Sequence, residues 1–225
     1  LVARHSGPFP VAALVRLWRE LLSGQVMVQS EFNVALFEPS AEATYRSIAR
    51  DQFSAAGRVH LLPSPAQVIH AVSSDNSTVG VLPLPSNEHQ DPWWATLSDE
   101  GNIPIRIVAR LPFLRERTDA ILNNEALVVA KVTPEPSGED ISLLVVGLNE
   151  HADGNGLEQL LRANGLVATT LSTSKHPGHS LYLLAIDGFV QQDDRSISNF
   201  LQSAAEIVTK VTVVGSYAKQ LHIDN

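Results

Sequence analysis

The stretch Ile141-Ser-Leu-Leu-Val-Val-Gly-Leu148 decides the fold of the C-terminal part of the chain. Its continuous apolar run predicts a buried strand. A helix is expected at 157–163, ended by Asn164-Gly165, where glycine can supply the left-handed residue after the last turn. Two further strands are expected at 167–174 and 181–187, joined by a polar turn. The stretch therefore opens an alternating series of strands and helices.

The series closes with a second helix and a fourth strand. Apolar residues at helical spacing predict a helix over 197–208. Val211–Val214 is predicted to be the last strand, and it runs into Gly215-Ser-Tyr217. The resulting βαββαβ order is that of a ferredoxin-like α+β domain, which we expect over residues 137–225.

The N-terminal part begins with a predicted helix over 10–30, with Pro10 at its start. The helix carries an apolar stripe of Leu14, Leu17, Trp18, Leu21 and Leu22. The same face continues to Gln25 and Gln29, four residues apart. Two interpretations are open: the helix leaves its core and meets water, or the two amides point into a polar pocket.

Residues 31–133 alternate between strand and helix patterns. Strands are predicted at 33–37, 59–63, 79–84, 103–111 and 126–132, and helices at 41–56, capped by Ser40, and after Ser64-Pro65. This order predicts a mostly parallel sheet with right-handed crossovers. The fold expected for the chain is thus α/β followed by α+β, with domains at 1–31, 32–136 and 137–225.

Composition excludes several functional classes. The net charge is −8 and no basic stripe is visible, which argues against nucleic acid as a partner. There is no cysteine and the eight histidines are scattered, so we expect no metal. No run of 18 apolar residues and no signal peptide is visible, so a cytoplasmic protein without a membrane span is expected. The chain does not start with methionine, and we expect a piece upstream of residue 1.

The C-terminal strand with its Gly215-Ser-Tyr217 ending resembles the close of the regulatory ACT domain of bacterial prephenate dehydratases. The effector loop of that family falls on Asn155-Gly156-Leu157, and the segment that supports phenylalanine binding begins at Ser172. Both segments depart from the family pattern. The resemblance implies either a site for an aromatic amino acid, held through backbone N–H groups, or a structural and dimerising module.

The segment 17–29 resembles the last helix of the all-helical chorismate mutase domain, which precedes prephenate dehydratase in bifunctional proteins. Gln29 falls on a glutamine and Gln25 on a serine that contact chorismate in that family. The resemblance implies that Gln29 donates a hydrogen bond to the ether oxygen of chorismate. It implies that Gln25 contacts a carboxylate or hydroxyl, that the protein is a homodimer and that no cofactor takes part.

The middle of the chain resembles one lobe of the periplasmic-binding-protein-like catalytic domain of prephenate dehydratase, through 78–84 and 141–147. The family's Glu-Asn-Ser loop reads Pro85-Ser-Asn87 here, and its Thr-Arg-Phe reads Ile141-Ser-Leu143. Between residues 114 and 126 there is no room for a second lobe. Because elimination of water needs a proton donor and cations at those positions, we expect a degenerate, half-size lobe without dehydratase activity.

Three functions follow from these resemblances. The favoured one is a chorismate mutase, an isomerase of phenylalanine and tyrosine biosynthesis that forms prephenate and carries an inactive dehydratase-like tail. The alternatives are a prephenate dehydratase with a divergent site and a non-catalytic regulatory or scaffolding protein of ACT type. Separately, Trp93-Trp94 are interpreted either as cover for one face of the sheet or as a ligand or partner patch.

Overall fold

The computed structural model describes residues 5–38, 45–53, 57–86, 91–99, 105–116, 125–152 and 154–223. In chain order its elements are α1 (Val11–Gln29), β1 (Asn33–Phe37), α2 (Tyr45–Phe53), β2 (Arg58–Leu62), α3 (Pro65–Ser73), β3 (Val79–Pro83), β4 (Arg106–Leu111), β5 (Leu114–Glu116), β6 (Ala126–Ala130), β7 (Asp140–Asn149), α4 (Leu157–Ala163), β8 (Ala168–His176), β9 (His179–Asp187), α5 (Arg195–Ser203), β10 (Val208–Ala218) and β11 (Leu221–Ile223). A 3₁₀ helix, Trp93–Ser98, lies between β3 and β4.

The chain forms two compact units. Unit 1 comprises residues 1–84, 109–130 and 220–225, and unit 2 comprises residues 85–108 and 131–219. Most of the helices and strands predicted from the sequence are present, and the chain is a mixed α/β protein. The predicted domain boundaries at 31/32 and 136/137 stay predictions. The predicted cap Ser40 and the ends of the predicted helix 41–56 lie outside the described residues.

Unit 1 contains the strand order β2-β1-β3-β6. Strand β1 pairs in parallel with β2 and β3, as the alternating pattern predicts. Strand β6 pairs with β3 in the antiparallel sense, which the prediction of a mostly parallel sheet did not specify. The backbone N–H of Leu84 donates to Glu125 O at 3.0 Å, so β6 starts beside the end of β3 and runs back along it. Strands β5 and β11 form a short parallel pair that was not predicted.

Helix α3 forms where the sequence indicates it. Ser64 caps it, its hydroxyl accepting from the N–H of Gln67 at 3.4 Å, and Pro65 occupies the first turn. Its apolar face packs on β3 at Gly80, where an added Cβ would lie 2.7 Å from the Val68 side chain. The glycine therefore sets how closely this helix approaches the sheet.

Unit 2 contains the series β7-α4-β8-β9-α5-β10, and its four strands lie in the antiparallel order β10-β7-β9-β8. This is the ferredoxin-like order of elements expected from the sequence. Alternate residues of β7, such as Leu144 and Val146, share one apolar core with Leu161 of α4 and Phe200 of α5. Both helices therefore cover the same face of these strands.

Helix α5 is shorter than predicted, and β10 is longer. The helix ends at Ser203 rather than at 208, and Val208 begins the last strand. Ala204 and Val208 are buried, and a hydrogen bond of 2.8 Å joins the N–H of Val208 to Ala204 O. The apolar spacing was correct, but a turn followed by a strand buries the same residues as a longer helix would.

Gly215 allows β10 to lie beside β4. Its φ is +153°, and a Cβ at this position would collide with the backbone of Ile107, its partner in the strand pair. We expect Gly215→Ala to destabilise the protein by about 3 kcal/mol or more, through backbone strain and overpacking. Urea unfolding followed by circular dichroism measures this.

Gly24→Ala is the matched control, because Gly24 lies in α1 with nothing within 4 Å of a built Cβ. We expect that change to be neutral or to stabilise the helix by about 0.5–1 kcal/mol. A Gly215→Ala protein as stable as the wild type would contradict the close approach of the two strands.

Candidate functional site

Helix α1 leaves most of its apolar residues in contact with solvent in the described structure. Val15 is the one residue of the described helix that is fully buried, whereas Leu17, Trp18 and Leu21 are 54%, 44% and 61% exposed. Within the described residues, these members of the apolar stripe do not face a core. Turns of 100° per residue place Leu17, Leu21 and Gln25 on one side of the helix.

Gln25 and Gln29 are both exposed. Neither side chain has a hydrogen-bond partner among the described residues, and neither lines the cavity described below. Within the described part of the chain, their surroundings are those of a helix end that meets water. Their assignment to a chorismate site stays a prediction.

The opposite side of α1 forms one wall of a cavity of about 670 Å³ in unit 1. The cavity is mostly apolar, and its polar side chains are Arg19, Ser23 and Gln52. The remaining lining residues are Val15, Trp18, Leu22, Val26, Met27, Phe32, Phe53, Phe113 and Leu221. A concave, aromatic-rich space of this size with few polar groups has the form of a small-molecule site.

Arg19 is the charged group of this cavity. Its Nη1 donates to Oε1 of Gln52, and the centre of its guanidinium lies 4.7 Å from the centroid of the Phe113 ring. Burial lowers the pKa of Arg19, but an arginine stays protonated near neutral pH. No carboxylate of the described residues pairs with it. The cavity thus holds a half-buried cation to which the described residues offer no counter-charge.

Sequence reasoning missed Arg19, although a signal was present. The residue interrupts an apolar helix face between Val15 and Leu22, and no acid lies three or four residues away from it. An unpaired cation on an apolar face is a reason to look for a partner elsewhere. Its contacts with Gln52 and Phe113 are distant in sequence and could not be read from the local pattern.

The predicted effector residues of unit 2 lie at the start of α4 and in β8. Gly156 takes a left-handed conformation with φ +81° and precedes the helix, and Asn155 is exposed. Leu157 and Ser172 are each 3% exposed, so both are part of the interior. The structure therefore leaves two of the four predicted residues accessible to a ligand.

The first turn of α4 is fastened to β8. One oxygen of Glu158 accepts from both the N–H and the hydroxyl of Thr170, each at 2.8 Å.

A second cavity, of about 400 Å³, lies elsewhere in unit 2. Its lining residues are Arg106, Thr133, Pro134, Phe189, Val190, Gln191, Gln192, Asp193, Val213, Gly215 and Ser216. None of the predicted effector residues lines it.

Trp93 and Trp94 lie in the 3₁₀ helix of unit 2, which packs against β9 and β10. Their exposed fractions are 3% and 1%. These values match the interpretation that the pair covers the strands, and they do not fit an exposed ligand or partner patch.

In the described part of the chain, no group of three or more metal-ligating side chains occurs. None of the described helices combines the length and apolar character needed to cross a membrane.

We expect Trp94→Ala to destabilise the protein by about 3–5 kcal/mol, because it removes a fully buried aromatic side chain. Chemical denaturation checks the loss. Trp18→Ala is the matched control: that side chain is 44% exposed, so the cost should be less than half as large. Equal costs for the two variants would show that Trp94 does not carry a larger share of the packing.

Comparison with known proteins gives structural neighbours only. No protein-family model matches the sequence, and no characterised protein matches it closely enough in sequence to count as a relative. A protein named GqqA, described as a novel type of quorum-quenching acylase, is 14% identical with a TM-score of 0.56. That match covers 82% of this chain and 94% of GqqA.

Two further neighbours are prephenate dehydratases. The enzyme from Streptococcus mutans is 16% identical with a TM-score of 0.55, and the match covers 85% of this chain and all of that one. The enzyme from Arthrobacter aurescens, solved in complex with L-Phe, is 14% identical with a TM-score of 0.57, covering 83% of this chain and 90% of that one. Identities this low speak for architecture and not for chemistry. The chain therefore has a fold like that of the prephenate dehydratases.

Proposed function

We propose that the intact protein is a chorismate mutase whose remaining part has a prephenate dehydratase-like fold without dehydratase chemistry. The observation that carries this proposal is the exposed face of α1, on which Leu17 and Leu21 lead to Gln25. An apolar helix face open to solvent is suited to pack against further helices. The segment 17–29 resembles the last helix of the helical mutase domain. The other helices of that domain are such partners, and in that family the domain forms an intertwined dimer.

The chemistry asked of such a site is modest. The rearrangement of chorismate involves one substrate and needs no covalent catalyst, so the protein must hold a compact conformer and stabilise charge that builds on the ether oxygen. Gln29 is proposed to donate to that oxygen, and Gln25 to contact a carboxylate or hydroxyl. The cations for the substrate carboxylates would come from outside the described residues. We propose a homodimer and no cofactor.

Ser142 supports the loss of dehydratase chemistry. By the sequence resemblance Ser142 falls on the arginine of the family's Thr-Arg-Phe. Its side chain is fully buried. Its hydroxyl donates to Gly188 O and accepts from the N–H of Val190, both at 2.8 Å. Because its single O–H donor is already used inside the protein and the side chain is buried, this serine cannot donate to a substrate. Asn87 of the second divergent loop lies outside the described residues.

Replacing Gln29 by alanine should lower the turnover of chorismate by the full-length protein about a hundredfold or more, as loss of one oxyanion-type donor does. Ultraviolet absorbance of chorismate gives the rate. Gln67→Ala is the control, since that glutamine is also exposed on a helix, but on α3. Unchanged turnover in Gln29→Ala would remove this residue from the site.

The amino-acid site of the ACT type is proposed to be lost. A dehydratase with this fold was solved with L-Phe, but here Leu157 and Ser172 are buried in the protein interior. Titration with L-Phe in a calorimeter should therefore give little or no heat. Micromolar binding that disappears in a Gly156→Val variant would show instead that the effector loop has kept its function.

A further inference from the structure

The cavity under α1 combines three features of a binding site for an organic anion. Its volume of about 670 Å³ falls within the range of roughly 300–1,000 Å³ found for small-molecule pockets. Its wall is apolar and carries the rings of Phe32, Phe53 and Phe113. Its charged group is the guanidinium of Arg19, half-buried beside that wall.

The charge of Arg19 is not balanced by the described residues. Gln52 supplies an amide oxygen but no negative charge, and Phe113 supplies the face of a ring. Elsewhere in unit 1, Glu125 lies 2.7 Å from Arg110 and 3.3 Å from Arg115, so those two cations have a carboxylate. Taking a cation out of water is unfavourable unless an anion compensates for it.

The geometry of Arg19 indicates what kind of anion fits. A guanidinium has five N–H donors in one plane, and Gln52 takes a bond from Nη1. The remaining donors can bind both oxygens of a carboxylate, the arrangement that arginine prefers. Contact with the Phe113 ring helps hold the guanidinium plane, which reduces the entropy lost on binding.

We infer that this cavity binds a small amphipathic monocarboxylate, whose carboxylate pairs with Arg19 and whose aryl or alkyl group lies against the aromatic wall. The site differs from the proposed mutase site, because Gln25 and Gln29 do not line the cavity. A neutral apolar molecule would leave Arg19 unpaired, and a strongly polar anion would leave the aromatic wall in contact with water. The amphipathic acid satisfies both parts of the cavity.

Calorimetry of the full-length protein with 4-phenylbutyrate and its neutral amide, 4-phenylbutyramide, tests the inference. The two probes share their shape and differ in charge. The acid should bind about tenfold or more tightly than the amide, the difference that a charged hydrogen-bonded pair makes. Arg19→Gln should lower the affinity for the acid by about the same factor and leave the affinity for the amide unchanged.

Arg16→Gln is the matched control, because Arg16 is an exposed arginine on the same helix. The Arg16→Gln protein should bind the acid as tightly as the wild type does. If Arg19→Gln fails to fold, Val26→Trp provides a second variant. It leaves Arg19 in place, fills the cavity and should abolish binding.

Equal affinity for acid and amide, an Arg19→Gln protein that binds the acid normally, or no heat with either probe would each overturn the inference. The calorimetric readout does not depend on chorismate turnover, so its failure leaves the Gln29 result untouched.

Discussion

Pairing between β7 and β10 is the constraint on which unit 2 depends. The pairing runs from Val208↔Leu148 to Ala218↔Asp140, and nearly every residue of β7 is buried. Because successive side chains point to opposite faces of a strand, both faces of β7 must be covered. Helices α4 and α5 cover the face that carries Leu144. Gly215 gives β10 the backbone conformation it needs beside β4.

The sequence allowed most of this unit to be predicted because its apolar residues have a clear period. Helix α4 was expected at 157–163 and lies there, and β9 was expected at 181–187 and lies at His179–Asp187. The end of α5 was missed because two backbone paths bury Ala204 and Val208 equally well. One is a longer helix, and the other is the observed turn followed by a strand. Local patterns report which residues are apolar, and several backbone paths can bury the same set.

The candidate sites could be predicted less well, for two physical reasons. On α1, periodicity identified the apolar residues Leu17 and Leu21 but could not say what covers them, and the described residues leave them exposed. In the cavity, the contact between Arg19 and Gln52 joins residues 33 positions apart, so only folding brings them together. Of the four predicted effector residues, three lie at the start of α4 and Ser172 lies in β8, and their role stays a prediction. The burial of Leu157 could not be foreseen from the loop alone.

Helix α1 thus presents two different surfaces. One side carries Arg19 and closes an apolar cavity, and the other presents exposed leucines followed by Gln25. The prephenate dehydratase-like fold does not decide the chemistry, because function depends on the residues placed on a fold. The hydroxyl of Ser142 illustrates this point: it is buried and donates to Gly188 O, and we propose that it replaces an arginine of the prephenate dehydratases.

The measurement that tests the central claim most directly offers chorismate and prephenate separately to the full-length protein and follows both by absorbance. The account predicts that chorismate is consumed, that prephenate accumulates and that prephenate alone is left unchanged. Conversion of prephenate with loss of water, or no turnover of chorismate, would contradict it.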